Sequence, residues 1–285
     1  MIHGLSIDVE DYYQIIYQDF FHYSTPPSPE VERNTEWFLE TLAGAGVHAT
    51  FFVLSSVARQ YPELIRRIVK EGHEIGVHGS DHKYIYRMHP LEFREEIRCA
   101  KQEVEEISGS KAAGHRAPAF SIRKDTFWAI DILQEVGFMY DSSIYPVQTK
   151  RYGIKTAEKT IYRLPNGLYE IPLSCLEFLG RAIPVAGGGY IRHFPYWWTK
   201  YAIRKLEELK RHAVVYVHPY EFEESYPRLN YSEENNFLLR LWIHTILQAH
   251  NRGAKQRKKL QLLLAEFSFV PLHELLARQE QTTAA

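Results

Sequence analysis

Short apolar runs alternate with amphipathic stretches along most of this chain. The first run, Ile2–Val9, stops at acidic residues, which is typical of a buried strand that ends at a polar site. Apolar positions at helical spacing, bounded by proline and glycine, predict helices between the runs. The predicted strands are Ile2–Val9, His48–Leu54, Glu74–Val77, Gly114–Arg116, a run from Phe138, Ala213–Val217 and Phe267–Val270. The predicted helices are Glu30–Ala43, Pro62–Glu71, Pro90–Ser108, Asp125–Val136, Trp197–Lys210 and Glu233–His250.

This alternation of strand and helix predicts an α/β fold with a parallel sheet or barrel. Tyr145–Tyr190 is rich in Pro, Gly and aromatic residues, with a short β run at Leu168–Pro172 and a turn at Gly187–Gly189. We interpret this stretch as an insertion near the barrel mouth. Residues 1–278 show no boundary and are predicted to form one domain, followed by a disordered tail at 279–285.

The composition excludes several classes of protein. Lys and Arg total 34 and Asp and Glu total 35, so the net charge of -1 provides no broad field for nucleic acid or an anionic membrane. The two cysteines, Cys99 and Cys175, are too few for a disulfide framework. The chain shows no run of about 18 apolar residues and no export signal. We therefore expect a cytoplasmic protein without a membrane span, unless a leader has been removed.

The predicted strand ends carry a candidate metal site. His78 and His82 follow the strand Glu74–Val77, and histidines four apart can meet on one ion if the segment turns. Asp8, Glu10 and Asp11 end the first strand, and a mononuclear catalytic site commonly combines two histidines with one carboxylate. The ordinary alternatives are surface histidines that recur by chance, and a solvated strand end or helix cap for Asp11.

Three further residues follow strands in the same way. His218 comes after Ala213–Val217, where it could protonate a leaving group. Arg116 precedes a stiff Ala117–Phe120 turn and could hold a buried carboxylate. Asp141 could orient a neighbouring side chain. Each of the three could instead be a core or capping residue.

In combination, these segments resemble the motifs of the polysaccharide deacetylases, the NodB-homology or carbohydrate esterase 4 family. The resemblance runs from about Leu5 to about Pro219 and is far more specific than any single motif. A softer resemblance, at Glu170–Pro172, Gly187–Tyr190 and beyond His218, is to the subgroup found beside exopolysaccharide loci, the PEP-CTERM-associated deacetylases. The segments of this chain that resemble the deacetylase motifs are Asp8-Val-Glu-Asp11, His78-Gly-Ser-Asp-His82, His115-Arg-Ala-Pro118, Asp141-Ser-Ser143 and Val217-His218-Pro219.

The resemblance implies a distorted (β/α) barrel of about seven parallel strands with a His-His-carboxylate metal centre. Val9 stands where the usual family pattern has a second aspartate, which makes Glu10 the better third ligand and Asp11 the second choice. Carried over by position, the metal ligands are His78, His82 and Glu10, the base is Asp8, its support is Arg116, the acid is His218, and the supporting carboxylate is Asp141.

The implied activity is metal-dependent hydrolysis of the N-acetyl group of an amino sugar in a polysaccharide or glycan precursor. Zn²⁺ is the expected metal, with Co²⁺, Mn²⁺ or Ni²⁺ as alternatives, and the partner is the N-acetylated glycan. Aromatic residues from Tyr145 to Trp198 could stack on sugar faces or belong to the core. Two alternatives remain: a hydrolase of a small amide or cyclic ureide on the same fold, and a carbohydrate-binding relative without turnover.

Overall fold

In the residues that the structure describes, the chain forms an α/β fold built on a nine-stranded sheet. We describe it from a computed structural model, which covers residues 1–149, 151–178, 180–225 and 251–284. A separate antiparallel pair, β8 and β9, adds to the main sheet. The strands are β1 (Ile2–Val9), β2 (Thr50–Val53), β3 (Glu74–Val77), β4 (Gly114–His115), β5 (Tyr140–Asp141), β6 (Tyr162–Arg163), β7 (Tyr169–Glu170), β8 (Cys175–Phe178), β9 (Arg181–Pro184), β10 (Val214–Val217) and β11 (Ser268–Val270).

The main sheet follows the order β10-β1-β2-β3-β4-β5-β7-β6. All pairs from β10 to β7 are parallel, so seven strands run in one direction along this path, as predicted. β6 is antiparallel to β7, and β11 pairs with the first residues of β1. The sheet curls into a half-barrel, which confirms the predicted distorted barrel. Because the strands are parallel, the ends of β1, β3, β4 and β10 lie on one side of the sheet, where α/β folds place their sites.

Most helices pack against one face of the curled sheet in the larger apolar cluster, whereas Leu272 and Leu275 of the C-terminal helix pack in a second cluster with Phe52 and Tyr216. The helix Pro29–Ala45 begins after the capping residue Ser28 and ends at Gly46, whose φ of 65° lies in the left-handed region that favours glycine. The α-helices are α1 (Tyr12–Ile16), α2 (Pro29–Ala45), α3 (Ser55–Gln60), α4 (Pro62–Lys70), α5 (Pro90–Ser108), α6 (Ala129–Glu135), α7 (Gly188–His193), α8 (Tyr196–Glu208), α9 (Ala254–Glu266) and α10 (Leu272–Ala284).

Alternate residues of the strands pack into two different cores. In β1, Ile7 and Val9 belong to the larger apolar cluster, which also contains Phe38 of α2. Ser6 and Asp8, which alternate with these two residues along the strand, are also fully or almost fully buried, but their side chains are polar. Since successive side chains of a strand point to opposite faces, β1 presents apolar groups to the helices and polar groups to the half-barrel interior. This alternation explains how a strand with no exposed face can carry the buried carboxylate of Asp8.

Several predicted boundaries differ from the structure. The short helix α3 is not predicted, since Leu54 before it provides no side-chain cap. The predicted helix Asp125–Val136 is divided in the structure into a 3-10 turn, Lys124–Thr126, and the helix α6. The Thr126 hydroxyl donates to nearby backbone carbonyls and so competes with the first helical turn. Gly188 and Gly189 begin α7 rather than forming only a turn.

Two predictions concern the C-terminal region. The helix α10 includes residues 279–284, most of the predicted disordered tail. Leu272 and Leu275 bury the first turn of this helix, and Arg278 pairs with Glu274 one turn before it. The predicted helix Glu233–His250 lies outside the described residues.

Candidate active site

Glu10, His78 and His82 form a buried cluster beyond the ends of β1 and β3. Oε2 of Glu10 lies 3.0 Å from Nε2 of His78 and 2.8 Å from Nε2 of His82. One ligand atom from each residue lies within 4.8 Å of the other two, and no other group of His, Cys, Asp and Glu in the described part of the chain has this geometry. Burial would raise the pKa of Glu10, but His82, His218 and His78 together hold it well below its usual value. The carboxylate is therefore ionised.

The hydrogen bonding of His78 tests whether this cluster fits a cation. Nδ1 of His78 lies 2.7 Å from the carbonyl oxygen of Arg116, which can only accept, so Nδ1 carries the proton. A neutral His78 then presents the lone pair of Nε2 to the Glu10 carboxylate. Two acceptor atoms that face each other at 3.0 Å require a shared cation or an additional proton. Two imidazole nitrogens and one carboxylate are the donor set of many mononuclear zinc sites, so these residues fit a metal.

The loop after β3 brings the two histidines together. Gly79 and His82 have φ values of 81° and 58°, both in the left-handed region, so the segment turns tightly as a loop and not as a helical face. The backbone N-H of Ser80 donates to the Glu96 carboxylate of α5 at 2.5 Å, which ties the loop to the scaffold. Burial raises the pKa of Glu96 to about 7. The predicted meeting of His78 and His82 is therefore present, although its backbone geometry is not helical.

Arg116 and Asp8 form a fully buried ion pair next to this cluster. Nη1 of Arg116 donates to Oδ1 of Asp8 at 2.7 Å and to the Ser6 hydroxyl at 2.6 Å. Nη2 and Nε donate to the hydroxyl and the carbonyl of Ser142, and the guanidinium stacks 4.4 Å above the ring of Phe52. This geometry agrees with the expectation that Arg116 holds a buried carboxylate. Asp8 Oδ2 stays available to the pocket.

His218 faces the same pocket from the end of β10. Its Nε2 lies 3.5 Å from Oε1 of Glu10 and 3.8 Å from Oδ2 of Asp8, and its Nδ1 lies 3.3 Å from Oε2 of Glu221. Burial would lower the pKa of His218, but Glu221, followed by Glu10 and Asp8, raises it to about 9. A cation bound at Glu10 would oppose part of this shift.

Asp11, the second choice for the third ligand, has a different position. Its carboxylate accepts from the backbone N-H of Tyr13 at 2.8 Å and from that of Ser28. It therefore caps α1, as the ordinary reading of this residue predicted. Burial raises the pKa of Asp11. Glu10, and not Asp11, is the carboxylate that the structure brings to the two imidazoles.

Asp141 lies one layer below the pocket. Its Oδ1 is 2.7 Å from Nδ1 of His115 and accepts from the Ser143 hydroxyl at 2.7 Å. The Ser143 hydroxyl oxygen in turn accepts from the backbone N-H of Ala117, next to Arg116. Asp141 thus supports the Arg116 segment through its neighbours, and its hydrogen bonds in the structure reach neither Asp8 nor His218.

Of the aromatic residues between Tyr145 and Trp198, Tyr152 lines the pocket, and others lie in the core or on other surfaces. Tyr145 is fully buried, the Tyr190 hydroxyl bonds that of Tyr152, and Trp197 is exposed on α8. Trp198 lines a separate groove beside β8 and β9. The pocket is lined by Asp8, Glu10, Ile15, His78, His82, Ala119, Phe120, Arg151, Tyr152, His218 and Tyr220.

Two contacts of the site were not predicted from the sequence. Glu221 beside His218 follows it by three residues, a spacing that matches the capping pattern at a helix start. That pattern was the available signal. Ser142 bonds Arg116 through both its hydroxyl and its carbonyl; it lies in the Asp141-Ser-Ser143 motif, but the sequence assigned it no role of its own.

Two family models match different parts of the chain. Residues 23–140 match the family model of the polysaccharide deacetylases, and residues 142–277 match that of a domain of unknown function (DUF3473). The first match contains His78, His82 and Arg116, and the second contains His218. The resemblance to the polysaccharide deacetylase family, NodB and carbohydrate esterase 4, is thereby supported in the first half of the chain.

The similar proteins match over limited segments. Peptidoglycan-N-acetylmuramic acid deacetylase PdaC of Bacillus subtilis (strain 168) is 37% identical over 84 residues, which are 30% of this chain and 18% of PdaC. Chitooligosaccharide deacetylase of Bradyrhizobium sp. (strain ANU 289) is 33% identical over 95 residues, 33% of this chain and 41% of the relative. The chain therefore spans less than half the length of these relatives.

The fold has a counterpart over nearly the whole chain. A crystal structure from Mycobacterium smegmatis, described as that of a polysaccharide deacetylase, gives a TM-score of 0.64 over 98% of this chain and 90% of its own, at 18% identity. At this identity the similarity establishes the fold alone. In the described part of the chain, no helix is both long and apolar enough to cross a membrane.

Proposed function

We propose that this protein is a metal-dependent N-deacetylase that acts on an amino sugar within a polysaccharide or glycan precursor. The observation that carries the proposal is the convergence of Glu10, His78 and His82 on one point, with Asp8 and His218 beside it on the same pocket wall. The two relatives named above are deacetylases of peptidoglycan and of chitooligosaccharide, which makes these N-acetylated glycans the first substrates to test.

The metal would be held by His78, His82 and Glu10, with Zn²⁺ as the first choice and Co²⁺, Mn²⁺ or Ni²⁺ as alternatives. Bound there, a divalent cation supplies Lewis acidity, which polarises an amide carbonyl and lowers the pKa of water. The remaining chemistry belongs to side chains of this chain.

Asp8 is proposed as the general base. Its Oδ1 is occupied by Arg116, so the other oxygen, Oδ2, is the atom that would accept a proton from the attacking water. Arg116 keeps the carboxylate in one orientation.

His218 is proposed as the general acid. Its Nε2 faces the pocket, within 4 Å of the carboxylates of both Asp8 and Glu10, where it would donate a proton to the departing amine. Water attack on the acetyl carbon and protonation of the amine together yield acetate and a free amino sugar.

Acetate release tests the proposal. The purified protein, loaded with Zn²⁺, is incubated with N-acetylglucosamine oligomers and with peptidoglycan, and the acetate and the new amines are measured. Asp8→Asn is the loss-of-function variant, and Glu177→Gln, an exposed residue on β8, is the matched control. Turnover of a small ureide without acetate release from any glycan would favour the ureide hydrolase. Glycan binding that is unchanged in His78→Ala, without turnover, would favour the binding-only relative.

The exopolysaccharide-associated subgroup is part of this proposal only through its motif resemblance at Glu170–Pro172 and Gly187–Tyr190. It predicts a precursor of an exported polysaccharide as the natural substrate. Comparing acetate release from precursors of exopolysaccharides with that from peptidoglycan tests this finer assignment.

A further inference from the structure

The region that matches a domain of unknown function surrounds His218 with charged and aromatic groups. Oε2 of Glu221 lies 3.3 Å from Nδ1 of His218 and accepts from the His218 backbone N-H at 3.1 Å. The Glu221 side chain is fully buried. One carboxylate oxygen therefore contacts both the ring and the backbone of the same histidine.

A second residue from this region forms an ion pair with the other oxygen of Glu221. Nη1 of Arg192, in α7, lies 3.7 Å from Oε1 of Glu221, and both side chains are at most 4% exposed. Lys259 of α9 donates to the carbonyl oxygens of Ile191 and Arg192 at 2.8 and 2.9 Å. The cation of Lys259 caps the end of α7 and fixes the helix that presents Arg192.

The His218 ring is also confined by its neighbours. It stacks on Tyr220 with centroids 5.1 Å apart, and it meets Tyr216 edge-on at 5.6 Å. A Cβ on Gly188, which has a φ of 44°, would lie 3.0 Å from Cε1 of His218 and 2.9 Å from the Tyr216 ring. Only glycine fits at this position without moving the imidazole.

We propose that Glu221, paired with Arg192, is a positioning residue that faces Nδ1 of His218, fixes the orientation of the ring and directs Nε2 into the pocket. A carboxylate beside one ring nitrogen selects the tautomer and the ring orientation, and thereby which nitrogen reaches the substrate. The region of unknown function would then supply both the proton donor and its support. This inference rests on the proposed deacetylase function, because the role of His218 as the acid belongs to that proposal.

The experiment compares Glu221→Ala and Glu221→Gln with Glu224→Gln. Glu224 is a matched control from the same segment whose side chain is 63% exposed. On an N-acetylglucosamine oligomer, we expect kcat of both Glu221 variants to fall by about 10- to 100-fold while KM stays within about twofold. Glu224→Gln keeps the wild-type kcat. Circular dichroism and thermal melting identify any variant that fails to fold.

Two further measurements separate positioning from structural damage. The first measurement replaces the glycan by 4-nitrophenyl acetate, whose leaving group departs as a phenolate and needs no proton. The Glu221 variants should therefore hydrolyse this ester at close to the wild-type rate. In the second, Glu221→Gln is combined with His218→Ala. If Glu221 acts through His218, the double variant is no slower than His218→Ala alone.

The outcomes are distinct. A kcat within about threefold of wild type in Glu221→Ala overturns the inference, as does a further loss of rate when Glu221→Gln is added to His218→Ala. An equal loss on the amide and the ester also overturns it, since that pattern indicates general damage. If the wild-type protein itself releases no acetate from any glycan, the proposed function fails instead. The double-variant comparison decides the inference even where the ester is a poor substrate.

Discussion

Replacing Arg116 by methionine should cost more stability than replacing any exposed arginine. The guanidinium is fully buried and makes four hydrogen bonds, of 2.6 to 2.9 Å, to Ser6, Asp8 and Ser142. Methionine fills much of the same volume above Phe52 but leaves the buried Asp8 carboxylate without its cation. Removing one partner of a buried pair typically costs about 3–5 kcal/mol. We expect a loss of this size in the free energy of unfolding of Arg116→Met.

Urea unfolding followed by circular dichroism measures this loss. Arg98→Met on α5 is the matched control, because Arg98 is about half exposed and pairs only with neighbours in its own helix. Exposed pairs contribute about 0–1 kcal/mol, so the control should remain near wild type. Asp8→Asn/Arg116→Met should recover part of the loss, since no charge is then left unpaired. A cost for Arg116→Met below about 1 kcal/mol, equal to that of the control, would refute the reasoning.

Three further predictions follow from the site and the scaffold. Asp8→Asn should lower turnover by about two to four orders of magnitude in an acetate-release assay, and a wild-type rate would remove Asp8 from the role of base. His82→Ala should reduce bound zinc from about one ion per chain to a small fraction. The wild type and the variant are dialysed against the same buffer and analysed by elemental mass spectrometry. Equal zinc in the two proteins would contradict the ligand set. Burial lowers the pKa of His3 to about 4 and, with help from His48, that of His73 to about 4, whereas an unfolded histidine titrates near 6.5. Between pH 4 and 6.5 the unfolded chain therefore binds more protons than the folded chain. The stability that these two histidines contribute is complete above about pH 6.5 and is lost as the pH falls toward 4. The loss is up to about 1.4 kcal/mol per pH unit for each histidine. Urea unfolding at pH 7.5 and pH 5 measures this loss, and His73→Gln should make it smaller; an unchanged loss would show that His73 is not a source of it.

Much of the scaffold was predictable because the apolar periodicity and the residues that end helices and strands indicate the same boundaries. The bounds of β1, β3 and α5 are those predicted, since each is a clear apolar or amphipathic run that ends at a glycine, a proline or a polar site. The strands β4 and β5 have only two residues each, and their ladders depend on neighbours that the local sequence does not reveal. Their positions could be predicted, but not their lengths.

The choice between Glu10 and Asp11 shows where sequence reasoning stopped. Both acids follow β1, and both could have reached the histidines. The backbone N-H groups of Tyr13 and Ser28 donate to the Asp11 carboxylate, which therefore acts as a helix cap. A turn in which the Glu10 N-H donates to the Asp8 carbonyl directs Glu10 toward His78. Ser28 is 17 residues away from Asp11 and belongs to the start of another helix, so the local pattern could not make this choice.

The sequence by itself determined the order of strands and helices, and which strand ends carry the acids, the imidazoles and the arginine, because these follow from local periodicity and residue type. Only the tertiary structure decided that β10 lies beside β1, which brings His218 to Asp8 across more than 200 residues, and that Arg192 and Glu221 stand behind it. The physical reason is that parallel strands are joined by long crossover connections. The pairing of such strands depends on burying the whole sheet at once, and no local pattern records it.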